Sequence, residues 1–247
     1  MKSNKPQLIV NGKRTDGRDF DELRSPINIK AGVIENADGS SYIEWGNNKI
    51  IVAVYGPKEA MPKHMMDPTK AIIKCRYSMS PFSNLSEHGR SGPSRRSTEI
   101  SKVIKEVFEN VVFLNEFPGS EIDIFIEVLQ GDGGTRAAGI TAASVALASA
   151  GIPMRDLVYA VSVGRLDDEL AIDLNMIEDN YSDSDMPMAI APRNNEVLLL
   201  QMDGGLSMEQ LSKGMSMVIN AGKEISKKQT DALKETYESV SRKYEGR

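Results

Sequence analysis

Arginine stands in the first turn of two predicted helices. "SRRSTEISKVIKEV" places Arg95 and Arg96 directly after Ser94, a good N-cap, and "GGTRAAGI" places Arg136 directly after Gly134 and Thr135. A cation there opposes the helix dipole, at a cost of about 0.3–1 kcal/mol. One bound anion would offset both. Helix N-termini present free N–H groups that take phosphate readily. Glycine permits close backbone approach, the threonine hydroxyl is a further donor, and arginine offers a fork matched to phosphate oxygens. We therefore expect an anion cradle at Gly134, Thr135 and Arg136, closed by Arg96 from the other helix. An exposed arginine beside a plain glycine turn is the competing reading. No Lys-Ser/Thr follows the glycines, so this is no nucleotide P-loop, and the third glycine of a dinucleotide fingerprint is missing.

The second candidate is the acidic stretch "DLNMIEDNYSDSDMPMA", with Asp173, Glu178, Asp179, Asp183 and Asp185. Clustered carboxylates repel one another unless they are solvated or neutralised. Two readings follow, a solvated loop or a site for a hard cation, since Mg²⁺ is commonly held by one or two carboxylates plus substrate phosphate. An EF-hand fails: counting from Asp179, position 6 is Ser184 and position 12 is Ile190, where Gly and Glu are required. Other chemistries have less support. The two histidines, His64 and His88, show no zinc-binding spacing, and no G-x-S-x-G elbow occurs. His64 follows Lys63 in the Met-rich loop "EAMPKHMMDPTK", read as a mobile surface loop or a substrate contact.

These groups must be held by a particular set of elements. "INIKAGVI", "SSYIEW", "KIIVAVYGP" and "AIIKCRYSM" (residues 27–79) read as strands, the first three joined by turns at "NADGS" and "GNN". A Ser/Gly/Pro loop spans 80–94. A helix follows from Arg95 to about Asn115, striped by Ile100, Val103, Ile104, Val107, Phe108 and Val111. "EIDIFIEVL" is a strand, and the alanine-rich helix after the glycine turn ends at Gly151. "LVYAVSVG" and "ELAIDLN" form a hairpin across "RLDD". "MPMAIAP" and "EVLLLQMDG" are further strands. Ser207 and Gln210 form a capping box that opens one long helix, or two abutting ones, to Lys243. The expected fold class is α+β with mixed β-sheets packed with α-helices, in a single domain over 1–247: a core of 1–155 and a closing α/β portion of 156–247.

Composition bounds the function. The 247 residues are 40% hydrophobic and 26% charged, ordinary for a globular chain with a substantial core. No apolar run reaches the roughly 18 residues of a membrane span, and the N-terminal "LIV" is too short for a signal peptide, so the expected location is cytoplasmic. A single cysteine, Cys75, allows neither an internal disulfide nor a thiolate cluster, and reads as a small buried residue. The net charge of −5 argues against a general nucleic-acid binder but allows a local basic groove, or one completed by a partner chain.

From "GKRTDGRDFDELR" through "SRRSTEISKVI", "LQGDGGTRAAGITAASVALASAGIPMRDL" and "DLNMIEDNYSDSDMPMAI", the chain resembles the RNase PH family of phosphorolytic 3′→5′ exoribonucleases. Within it, the chain looks like the catalytic subunits of the archaeal exosome. The resemblance implies a fold like the second domain of ribosomal protein S5. It also implies a six-membered ring of three heterodimers with a paralogous non-catalytic subunit, a cap of RNA-binding proteins, and single-stranded RNA threaded to the active site. Residue by residue, Gly134, Thr135 and Arg136 match the phosphate-binding turn, Arg96 a phosphate-binding arginine and Arg95 one that holds the RNA backbone. Asp179 and Asp185 match paired catalytic aspartates that hold Mg²⁺, with Mn²⁺ equally suited to carboxylates; of the two, Asp179 is read as the proton donor to the leaving 3′ oxygen. Lys63 and His64 fall in a basic RNA-contacting loop. The implied activity is phosphorolysis: inorganic phosphate as co-substrate releases nucleoside 5′-diphosphates, and the reaction runs backwards as RNA tailing. The alternatives are a stand-alone homohexameric RNase PH that trims tRNA 3′ ends, a non-catalytic RNA-binding ring subunit, and a phosphate or nucleotide sensor without chemistry.

Overall fold

A computed structural model describes residues 6–84 and 93–245. Most of the 80–94 loop, with His88, lies outside the described residues. Along the chain run β1 (Ile9–Val10), β2 (Lys13–Arg14), β3 (Ile27–Ala31), β4 (Gly39–Trp45), β5 (Asn48–Glu59), β6 (Ile72–Met79), α1 (Arg95–Glu109) and β7 (Ser120–Gln130). They are followed by α2 (Thr135–Ser149), β8 (Tyr159–Leu166), β9 (Glu169–Ile172), α3 (Met176–Tyr181), β10 (Ser184–Ala191), β11 (Glu196–Leu200), β12 (Asp203–Gly204) and α4 (Met208–Glu245).

The first large sheet has the order β3-β4-β5-β7-β6, antiparallel except for the parallel pair β6 and β7, which α1 connects as a crossover. The second has the order β11-β10-β8-β9, with β12 added to the start of β10. α2 contacts both: β4 and β5 on one side, β8 and β10 on the other. This position explains its composition. Every residue from Thr135 to Leu147 is buried except Arg136. A helix buried all round needs no polar face, and alanine lets both layers come close. Its few polar side chains join the layers: Thr141 Oγ1 accepts the Ala160 N–H at 3.0 Å, and Ser144 Oγ accepts the Val158 N–H at 2.8 Å. A Cβ at Gly39 would stand 2.3 Å from the Ala146 carbonyl oxygen, so only glycine lets β4 meet the helix here.

α4 packs beside α2 and touches β3 of the first sheet as well as β8 and β9 of the second. The Ser207–Gln210 capping box forms, with Gln210 N–H to Ser207 Oγ at 3.1 Å. Gln229, fully buried, donates to the carbonyls of Thr141 (3.0 Å) and Val158 (2.8 Å). Gly222 faces Tyr159, where an added Cβ would lie 2.0 Å from the ring. Helix propensity favours alanine by about 1 kcal/mol, but overpacking costs about 1–3 kcal/mol. The clash wins: Gly222→Ala is expected to lower the urea midpoint and melting temperature, whereas Gly205→Ala, which meets nothing within 4 Å, is expected to leave both nearly unchanged.

Three elements differ from the expectations. α1 ends at Glu109 rather than near Asn115: the chain turns at Asn110, and Val111, Val112 and Leu114 enter the core from a loop. β10 starts at Ser184, two residues before the expected strand, so Asp185 is a strand residue. The acidic stretch is not a loop throughout, because Met176–Tyr181 is helical.

Candidate active site

One cleft of about 660 Å³ gathers Arg96, Arg136, Asp179 and Asp185, with Glu99, Gln201 and Asp203 on its walls. The four come from four different elements. Ser94 caps α1, accepting the Ser97 N–H at 3.0 Å, and so sets the exposed Arg95 and Arg96 in its first turn. Arg96 lines the cleft; Arg95 precedes it in the chain but is not part of the lining.

The glycine turn after β7 begins α2. Gly133 and Gly134 have φ of +72° and +64°, in the left-handed region that favours glycine. A Cβ at Gly133 would stand 2.7 Å from the Asn175 backbone, so this glycine answers to the chain packed behind it. Gly134 caps α2 without a side chain. Thr135 is buried, and its Oγ1 accepts the Tyr77 phenol proton at 2.8 Å, which leaves its own hydrogen for another acceptor. Neither Gly134 nor Thr135 lines the cleft; from this turn only Arg136 reaches it.

Asp179 projects from α3. Asn175 caps this short helix, its Oδ1 accepting from Ile177 and Glu178 N–H at 3.0 Å each. Asp185 lies on β10, where Gly164 of β8 and Asp203 of β12 flank it. Burial pushes the Asp185 carboxyl up to about 7, helped by the Asp179 and Asp203 charges and opposed by Arg136 and Arg96. Burial also raises Asp179, against the pull of Arg96, Arg136 and Arg24. Both carboxyls therefore bind a proton more readily than a free aspartate, and Asp185 is the more strongly shifted. Asp185 Oδ1 is buried without a hydrogen-bond partner.

The other acidic residues do different work. Asp173 and Glu178 are buried and paired, so neither the solvated-loop nor the cation-site reading describes them. Arg14, itself buried, grips Glu178 through Nε–Oε1 at 2.9 Å and Nη2–Oε2 at 2.5 Å. Arg24 holds Asp173 through its backbone N–H and Nη2, each at 2.7 Å, and Trp45 Nε1 donates to the same carboxylate at 2.9 Å. Arg24 also donates to the carbonyls of Asp132 and Gly133. The glycine turn and the segment leading to α3 are thus bolted to one buried guanidinium. Asp132 adds a second link, accepting the Met176 N–H at 3.1 Å. Local spacing does not single out Arg14, Arg24 or Asp132, whose partners are remote in sequence. For the two arginines the one signal is the run of arginines and carboxylates in "RTDGRDFDELR".

Lys63 and His64 do not join this site. They form a short 3₁₀ turn near the Glu59–Ser120 end of the first sheet, and Lys63 pairs with Glu59 at 3.1 Å. The glycine turn follows the other end of β7, whose eleven residues span about 35 Å. Among the described residues no group of three or more His, Cys, Asp and Glu forms a metal cluster, and no helix is long and apolar enough to cross a membrane.

Domain 1 of the 3′ exoribonuclease family, RNase PH, matches residues 22–153, and domain 2 matches residues 156–220. The chain is 54% identical over 236 residues to exosome complex component Rrp41 of Pyrococcus furiosus, covering 96% of this chain and 94% of that one. It is 52% identical over 238 residues to the Rrp41 of Thermoplasma acidophilum, covering 96% and 95%. Among solved structures, rice Rrp46 superposes with a TM-score of 0.80 at 25% identity, over 90% of this chain and all of that one. A chain of the Archaeoglobus fulgidus exosome with RNA bound to the active site shares the fold, with a TM-score of 0.77 at 24% identity over 88% and 93%.

Proposed function

The chain belongs to the RNase PH family of 3′ exoribonucleases, and on that premise we propose that its cleft binds inorganic phosphate beside the 3′ end of an RNA. The protein is a phosphate-dependent 3′→5′ exoribonuclease, the catalytic subunit of a multi-subunit exosome that acts on RNA. The observation that carries the site assignment is the convergence of two helix-start arginines and two aspartates in one cleft.

Phosphate and the scissile phosphodiester are both anionic and repel each other. Arg136 and Arg96 offset that repulsion and aim a phosphate oxygen at the terminal phosphorus, with Arg95 on the RNA backbone and the Gly134–Thr135 turn fixing the start of α2. Attack joins the two phosphorus centres through one oxygen, the bond to the 3′ oxygen breaks, and a nucleoside 5′-diphosphate departs. The leaving oxygen takes the proton carried by the Asp179–Asp185 pair. Burial raises both carboxyls, Asp185 the further, which favours Asp185 as the donor, whereas the sequence alone assigns that role to Asp179.

Asp179 and Asp185 would also hold Mg²⁺ through the carboxylate oxygens that the proton leaves free, and the unpartnered Asp185 Oδ1 fits that use. When bound, the cation stabilises charge on the transferring group. The retained arginines and aspartates favour a catalytic subunit over a scaffold or a sensor. Lys63 is paired with Glu59 and the chain is acidic, so a ring of three heterodimers with a paralogous subunit, capped by RNA-binding proteins, would complete the RNA path past that loop. The main cluster of buried side chains runs through both sheets, which supports one domain over 1–247. A cytoplasmic location accords with RNA and free phosphate as substrates.

The test uses 3′-labelled single-stranded RNA and Mg²⁺, with the chain alone and with its ring paralogue. Nucleoside diphosphate is expected only when phosphate is present. Monophosphate released without phosphate would mean hydrolysis and would end the cradle assignment.

A further inference from the structure

We infer that Gln201 is a positioning residue that sets the Arg136 guanidinium for phosphate; the inference rests on the site proposed above. Gln201 follows β11 and lies between two residues fixed to β10, Leu200 opposite Met188 and Asp203 opposite Asp185. Its backbone N–H donates to the Pro187 carbonyl at 3.2 Å. The loop is thus anchored to the strand that carries Asp185, and the side chain, half-buried, enters the cleft. There Gln201 Oε1 accepts from Arg136 Nη1, and Gln201 Nε2 donates to Glu99 Oε1 at 3.4 Å.

The amide suits this place for a chemical reason. A guanidinium has five donors in one plane, and an acceptor on one of them fixes the rotation of the others. A carboxylate here would do the same but would neutralise Arg136 and repel an incoming anion. The neutral amide orients the fork and leaves its charge for phosphate. Its N–H₂ meanwhile occupies Glu99, the carboxylate on the α1 wall of the cleft. One side chain therefore links the helices that bear Arg96 and Arg136 to the strand that bears Asp185.

The experiment measures KM for phosphate and for RNA separately, with the enzyme in its active assembly, for Gln201→Leu, Gln201→Glu and Arg136→Ala. Gln201→Leu is expected to raise the phosphate KM about tenfold, the usual weight of a hydrogen bond to a charged group. Its RNA KM stays within about twofold and its melting temperature is unchanged. Gln201→Glu keeps the shape and the acceptor, yet is expected to raise the phosphate KM at least as much, because its charge competes with phosphate for Arg136. A normal phosphate KM in Gln201→Leu, with a raised one in Arg136→Ala, overturns the inference and leaves the site standing. A normal phosphate KM in Arg136→Ala sinks the site assignment, and the inference with it. If Gln201→Leu melts early and both KM values shift, the role is merely structural. A Gln201→Glu enzyme with unaltered phosphate KM likewise overturns the inference.

Discussion

Asp185→Asn is expected to lower kcat about a hundred- to ten-thousand-fold while making the unliganded chain more stable at pH 8. The first effect follows from the roles proposed for Asp185 in proton transfer and cation binding, with the weight usual for general acid–base catalysis. The second follows from the position of the carboxyl, which burial and Asp179 push up to about 7. Unfolded aspartate titrates at about 3.9. Between those pH values the folded chain holds a proton there that the unfolded chain has released, so stability falls as pH rises through the window. Each tenfold difference in proton affinity is worth about 1.4 kcal/mol. Asparagine stays neutral and escapes this loss. The variant should therefore match the native chain near pH 4 and exceed it above pH 7 in urea unfolding. Equal pH dependence of the two proteins would show that Asp185 is not the buried titrating group, and retained activity would remove it from catalysis.

Arg24→Met is expected to destabilise the chain by about 3–5 kcal/mol, the loss typical of breaking one side of a buried ion pair. It strands Asp173, 3% exposed, with Trp45 and a backbone N–H as close donors and Arg18 at 3.8 Å. Burial alone would raise the Asp173 carboxyl, but the Arg24 charge and hydrogen bonds outweigh it and hold the group below its usual range. The stability they confer is present above about pH 4 and is lost as pH falls through the lowered value. Arg24→Met should accordingly differ most from the native chain at neutral pH and converge with it in acid. Combining it with Asp173→Asn removes the stranded charge and should recover part of the loss, as a double-mutant cycle would read. Activity should fall as well, because Arg24 also holds the carbonyls of Asp132 and Gly133 ahead of Arg136. Additive losses would mean that the two residues do not act together.

The contrast between these two sites separates what local spacing reveals from what it hides. Arg96, Arg136, Asp179 and Asp185 are visible in the sequence because each breaks a local rule: a cation at a helix start, or a carboxylate among its like. Such residues need a partner, and the structure places the four around one cleft. Asp173 and Glu178 break the same rule, yet their partners are Arg24 and Arg14, 149 and 164 residues away. Only the folded chain can pair groups so remote. α3 escapes a periodicity reading because its six residues carry no full apolar stripe, and its stability comes from the Asn175 cap and the buried Glu178. The end of α1 is overshot because Val111 continues the stripe although the chain has already turned. The long elements are legible: α2 from its alanines, α4 from its capping box, and the strands from their β-branched residues.

The burial of α2 sets the two arginines proposed to bind phosphate on unequal terms. Arg136 rises from a helix enclosed by both sheets, and Gln201 already occupies one of its donors. Much of the entropy of placing its side chain is lost when the protein folds, before any ligand arrives. Arg96 stands exposed at the first turn of α1, free of such enclosure. Ordering a long side chain on binding costs about 0.5–1.5 kcal/mol, and here that cost falls mostly on Arg96. On the proposed site, one arginine is a fixture of the empty enzyme, and the other would be recruited by the anion itself.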